Sequence, residues 1–271
     1  AGSIFLFIPI SFYKENGLML ILFSAFLLTL VFIPGIGVEK NGSLRWINIG
    51  FNIQPSEIAK IFVPIYLCGY CLRRKEQLEN SWWGFIKPLI LTSIISILLL
   101  LEMDLGATVV IFAIGIIILF IGGAKFNQLL LLFLVFLSSV ILIAYFNEER
   151  WSRVVSFSNP WDDVGGSDYQ LINALVASVQ GGFSGLGIGE STQKYYFLPE
   201  SHTDFIFSIF VEETGLIGMS TLFACYLMIL WRLFRLADRS MKKNFFFNSL
   251  LISFFALLFF MQTSLNIFVN L

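Results

Sequence analysis

Two short stretches place ionisable side chains where an otherwise apolar chain should not carry them. Gln54-Pro55-Ser56-Glu57-Ile58-Ala59-Lys60 opens one apolar run, and Leu198-Pro199-Glu200-Ser201-His202-Thr203-Asp204-Phe205 opens another. In the first, Pro55 suits the first position of a helix, and Glu57 and Lys60, three apart, share one helix face. In the second, Thr203 reads as an N-cap and Asp204 as a residue of the first helical turn, beside His202, the single histidine of the chain. Glu212 and Glu213 follow two to three turns further on. A carboxylate so placed can act as a general base, and a neighbouring cation can hold an anionic leaving group. Plainer roles fit some of the same positions. Glu57 can cap its helix and pair with Lys60, and Asp204 can complement a helix dipole for up to about 1 kcal/mol. Glu212 has no such default, because it lies inside an apolar helix and needs a cation or a hydrogen-bond donor.

The elements that carry these residues are membrane helices. The 271 residues are 57% hydrophobic and 13% charged, with 31 Phe, far more apolar surface than a water-soluble domain can bury. A span needs roughly 20 apolar residues to cross a bilayer core about 30 Å thick. Leu18 to Pro34, Ile58 to Leu72, Phe85 to Leu101, Thr108 to Ile121, Leu129 to Phe146, Phe205 to Leu233 and Phe245 to Leu271 are long enough or nearly so. Ile4 to Ile10 is a partial run. The expectation is an all-α, polytopic helical bundle of seven full spans and one partial, forming a single membrane domain over residues 1–271. The chain starts within one apolar run without an initiator Met and stops within another, so it reads as a fragment.

Lys and Arg sort the loops by side. With Arg73-Arg74-Lys75 cytoplasmic, alternation puts Lys125 and the cluster Arg232, Arg235, Arg239, Lys242 and Lys243 on the same side. Two segments are then outside, Lys40 to Gln54 and a long loop over 147–204, and both ionisable stretches fall at this outer face. The long loop is turn-rich in glycine, and Leu171 to Val179 reads as a short interfacial helix. Cys68 and Cys71 have the spacing of a metal or redox pair but lie in an apolar span, where packing thiols are the expectation. Gly185, Gly187 and Gly189 alternate wrongly for a dinucleotide loop and point to turn geometry. Pro64 is expected to kink its helix.

Four motifs, in order along most of the chain, resemble the SEDS family (shape, elongation, division, sporulation). They are Asn41-Gly42-Ser43-Leu44-Arg45-Trp46-Ile47, Gln54-Pro55-Ser56-Glu57 with Lys60, Asp104-Leu105-Gly106-Ala107-Thr108, and Leu198 through Phe207 with Glu212-Glu213. Gly181-Gly182-Phe183 with Gly185, Gly187, Gly189, Ser191 and Lys194 is more like the division branch, FtsW, than the elongation branch, RodA. Glu102-Met103 stands where the family pattern has Gln-Pro before Asp104, which puts the role of Asp104 in question. The family has ten membrane helices, so the resemblance implies that the first, most of the second and the last are missing.

The resemblance implies an inverting peptidoglycan glycosyltransferase that polymerises lipid II on the outer face of the bacterial cytoplasmic membrane, at the division septum. Asp204 is then the catalytic base. Substrate contacts are expected from Arg45, Gln54, Glu57, Lys60, Arg153, Lys194, His202 and Glu212, with Arg45, Lys60 and Arg153 as the cations for the diphosphate. No resident cofactor is implied; a divalent cation, Mg or Mn, is the one supplement the chemistry accommodates. Partners are a class B penicillin-binding transpeptidase and other division proteins, with no nucleic acid. An elongation-type polymerase, a lipid II flippase carried by Glu212, and a structural scaffold are the rival readings.

Overall fold

The computed structural model describes residues 8–40, 43–48, 50, 52–146, 151, 169–196, 198 and 203–270. The helices are α1 (Ile10–Glu15), α2 (Gly17–Leu30), α3 (Pro55–Arg73), α4 (Lys75–Asn80), α5 (Trp82–Leu101), α6 (Leu105–Ile121), α7 (Phe126–Tyr145), α8 (Tyr169–Gln180), α9 (Gln193–Tyr196), α10 (Ile206–Lys242) and α11 (Phe246–Asn270). Each of the seven apolar runs lies largely on one of them. Three, α5, α10 and α11, are long and apolar enough to cross a membrane; α2, α6 and α7 carry shorter apolar stretches. Ile4 to Ile10 falls mostly outside the described residues.

The segment between α2 and α3, expected as a loop, is a small antiparallel sheet of β1 (Gly37–Lys40), β2 (Ser43–Asn48) and β3 (Asn52–Ile53) in that order. Its pairing runs Val38 to Trp46 and Ile47 to Ile53, and Ile47 is its buried residue. Branched and aromatic side chains at these positions favour the pleated backbone, a signal too short to show against the surrounding apolar runs.

The chain forms two compact units, residues 1–134 with 233–258, and residues 135–232 with 259–271. In the first, α3 is the central helix. Ala59, Val63, Leu67, Cys68 and Cys71 are all fully buried, and α3 packs against α2, α5 and α6. Its hydrogen-bonded run continues through Pro64. Both thiols are free and buried, with Cys71 against Gly122, in the packing role expected of them. The basic turns gather at one end of this unit. Lys75 lies over the Phe246 ring, Glu79 lies against Gly123, and Arg73 donates to the Lys14 carbonyl. The β-sheet and the α5–α6 turn lie at the other end, one length of α5 away, about 30 Å for 20 residues.

In the second unit α10 is broken at Gly215 (φ 66°, ψ −164°). The break is filled by the glycine-rich segment that follows α8. Leu216 and Ile217 donate to the carbonyls of Gly182 and Phe183, while Leu186 and Gly187 donate to those of Glu212 and Glu213. These are the groups that an unbroken helix would pair with each other. Backbone approaches backbone so closely that a Cβ on Gly181, Gly185 or Gly215 would sit 2.1–2.4 Å from a main-chain atom. The expected short helix is present as α8, whose Ala174 is buried with Leu198, Phe205 and Ile209.

Gly182 and Gly185 separate conformational strain from steric exclusion. Both have positive φ, but a Cβ on Gly182 meets open space, whereas one on Gly185 meets the Glu213 carbonyl at 2.1 Å. Gly182→Ala is expected to cost about 1–2 kcal/mol from backbone strain alone. Gly185→Ala should lower the thermal unfolding midpoint several times as far; equal shifts would show that the loop does not fill the break.

Candidate functional site

The end of the first unit that bears the β-sheet collects four expected site residues. Arg45 shares a strand face with buried Ile47 and reaches the α5–α6 turn, where Nε donates to the Glu102 carbonyl at 3.3 Å and Nη2 to the Met103 carbonyl at 2.6 Å. Gln54 precedes α3 and its amide reaches Asp104 Oδ2 at 3.4 Å. Glu57 and Lys60 form a 2.5 Å ion pair along the first turn, with Lys60 the more buried partner. Asp104 caps α6: its Oδ1 accepts from the Ala107 N–H at 3.0 Å, and its carbonyl accepts from the Thr108 hydroxyl. That role needs no proline before it. Met103 has φ 62°, which a proline ring fixed near −65° could not adopt.

The second unit holds Lys194, Asp204 and Glu212. Glu212 is fully buried, and its carboxylate accepts from the Ser191 hydroxyl at 2.5 Å and from the Thr192 N–H and hydroxyl, both at 3.0 Å. The donors it requires therefore come from the chain itself. Lys194 pairs with Glu213 at 2.6 Å and also donates to the Gly189 carbonyl; the hydrogen bond it donates to Glu213 holds its ammonium above the ordinary lysine range. The sequence marks Ser191 only through the family resemblance and Thr192 not at all, because hydroxyls 20 and 21 residues from their acceptor leave no local signature.

Asp204 is exposed and lies in the turn before α10, not in its first helical turn as the sequence suggested. The physical reason is an inserted side chain. The amide of Asn270, at the far end of α11, donates to the Asp204 carbonyl at 2.7 Å and accepts from the Ser208 N–H at 3.1 Å. A helix begun at Asp204 would join those two groups directly. Asn266 adds a second amide to the same carbonyl at 3.2 Å. It also lines a cavity of about 460 Å³ between α10 and α11, walled by Phe207, Phe210, Tyr226 and Phe259 with Gln262 and Thr263. Arg153 and His202 lie outside the described residues. Among the described residues no three His, Cys, Asp or Glu stand together to hold a metal ion.

Residues 1–271 match the family described as "Cell cycle protein", FtsW/RodA/SpoVE. The chain belongs to this family. Similar relatives include a "Probable peptidoglycan glycosyltransferase FtsW" of Pseudomonas fluorescens, 39% identical over 264 residues, covering 97% of the chain and 65% of the relative. One of the same description from Saccharophagus degradans is 42% identical over 267 residues, covering 98% and 69%. The chain thus spans about two thirds of these FtsW/RodA/SpoVE relatives. Among solved structures, one described as "Structural coordination of polymerization and crosslinking by a peptidoglycan synthase complex" superposes with a TM-score of 0.75 at 26% identity, covering 99% of this chain and 74% of the other. The rod shape determining protein RodA of Thermus thermophilus gives 0.62 at 26%, covering 94% and 66%. With its long apolar helices, this member of the FtsW/RodA/SpoVE family is a helical membrane protein of bacterial type.

Glu102 is a feature that neither its position nor its charge announced. It follows the last residue of α5, is 1% exposed, and neither carboxylate oxygen has a hydrogen-bond partner among the described residues. Burial, reinforced by the charge of Asp104 and opposed by Arg45, pushes its pKa from 4.5 up to about 8. The folded chain then holds a proton that the unfolded chain has lost between those values, so stability falls as pH rises through that window. Glu102→Gln is expected to raise the unfolding midpoint above pH 8 and to leave it nearly unchanged at pH 4.5. A gain independent of pH would contradict the burial of an ionisable group.

Proposed function

We propose that this chain is the larger part of a division-type peptidoglycan glycosyltransferase, with seven spans, the 147–204 loop on the outer face and lipid II as substrate. The observation that carries the reading is identity near 40%, along nearly the whole chain, to relatives named for that activity. The charge sorting agrees, because the basic turns converge at the end of the first unit opposite Arg45, Gln54, Glu57 and Lys60. A structural neighbour described as a peptidoglycan synthase complex supports a class B penicillin-binding partner. Septal localisation and contacts with other division proteins follow from the division-type reading.

Asp204 is the base. Asp204 is exposed while its backbone is held from α11, so the carboxylate stands where it can meet a sugar hydroxyl. It takes the proton of the acceptor GlcNAc 4-hydroxyl as that oxygen attacks the anomeric carbon of the lipid-linked donor, and the diphosphate leaves as a stabilised anion. The α-linkage becomes β. One carboxylate suffices, since such a leaving group needs no acid. Arg45, Lys60, Arg153 and Lys194 are the cations available to an anionic substrate, and Arg45 has donors beyond the two already engaged. A divalent cation is assigned to no residue. The transport reading draws on Glu212, and that carboxylate is already satisfied by Ser191 and Thr192.

The test is lipid II polymerisation by the full-length protein with its penicillin-binding partner. Asp204→Asn is expected to reduce the rate by about a hundredfold or more while lipid II still binds. Polymer formation at an undiminished rate would overturn the assignment.

A further inference from the structure

The Asn270 side chain uses its whole hydrogen-bonding capacity at the head of α10. Its Nδ2 donates to the Asp204 carbonyl and to the Asn266 carbonyl, each at 2.7 Å. Its Oδ1 accepts from the Ser208 N–H at 3.1 Å and the Ser208 hydroxyl at 2.8 Å. Two donors and two acceptor positions are all that an amide offers, and the residue is fully buried. A buried polar group satisfied on every side holds one orientation.

The Ser208 N–H is one of the donors that the first turn of a helix leaves free. Such donors attract a carboxylate located just upstream, which is why Asp is a preferred capping residue. A carboxylate that accepts those bonds is held in its charged form and is a poorer base. Asn270 takes the Ser208 donor out of that competition. It occupies the Ser208 N–H from the far end of α11 and fixes the Asp204 backbone by its carbonyl, and the Asp204 side chain remains exposed.

We propose that Asn270 is a positioning residue for the glycosyl-transfer reaction, keeping the Asp204 carboxylate from being consumed as the cap of α10. This rests on the assignment of Asp204 as the base. Asp104, at the start of α6, shows the contrasting arrangement: with no amide inserted between its carbonyl and the helix, its carboxylate accepts from the Ala107 N–H and is spent as a cap.

The experiment is steady-state polymerisation by the full-length protein with its partner, at varied lipid II and pH, comparing Asn270→Ala, Asn266→Ala and Asp204→Asn. Asn270→Ala frees the Ser208 N–H. It is expected to lower kcat by about tenfold with KM nearly unchanged, and to move the acid limb of the pH–rate profile to lower pH. Asn266→Ala leaves that N–H occupied and should leave the acid limb in place. Folded yield and the thermal midpoint are measured for each; where Asn270→Ala does not fold, Asn270→Ser, too short to bridge both groups, replaces it. Asn270→Ala with the wild-type kcat, or with a lowered kcat and an unmoved acid limb, overturns the inference while Asp204→Asn is inactive. An active Asp204→Asn overturns the base assignment itself.

Discussion

A backbone N–H or carbonyl released inside an apolar chain must find its partner within that chain, because lipid offers none. This constraint organises α10. The helix is opened at its head, between Asp204 and Ser208, and again at Gly215. At each opening another part of the chain enters and satisfies both freed groups. Asn270 does so with one side-chain amide, and the 182–187 segment does so with four backbone bonds. The glycines at 181, 185 and 215 follow from the second insertion, since no side chain fits where main chains touch. The exposed position of Asp204 follows from the first.

The same constraint distinguishes the carboxylates. Glu212 is buried and supplied by Ser191 and Thr192, so it ties that segment to the helix. Asp104 is spent on its own helix start. Glu102 is buried without a hydrogen-bond partner among the described residues and keeps a proton to about pH 8. Asp204 alone among these has an exposed carboxylate combined with a backbone fixed from elsewhere. A general base needs that combination, because it must be accessible to a substrate and still be held in place.

Much of this was legible in the residues. Apolar runs of bilayer length became helices, Leu171 to Val179 became the centre of α8, the glycine series became turns, and the paired Cys68 and Cys71 became packing. What escaped were pairings across long separations. Asp204 lies outside α10 because of a residue 66 positions away, and periodicity carries no such information. The signal that could have found it was present all the same. Asn266 and Asn270, one turn apart in an apolar helix, are polar groups that need partners, as Glu212 was. The sheet at 37–53 was hidden for a different reason, since its strands are too short to show an alternation beside the neighbouring spans.

Chemical rescue tests the role of Asp204 most directly. Full-length Asp204→Ala, with its penicillin-binding partner and lipid II, would be assayed for polymer in increasing formate, a small carboxylate able to occupy the space left by the side chain. The predicted result is an inactive variant that regains polymerisation in proportion to formate. Polymerisation by Asp204→Ala at the wild-type rate without formate would contradict the assignment.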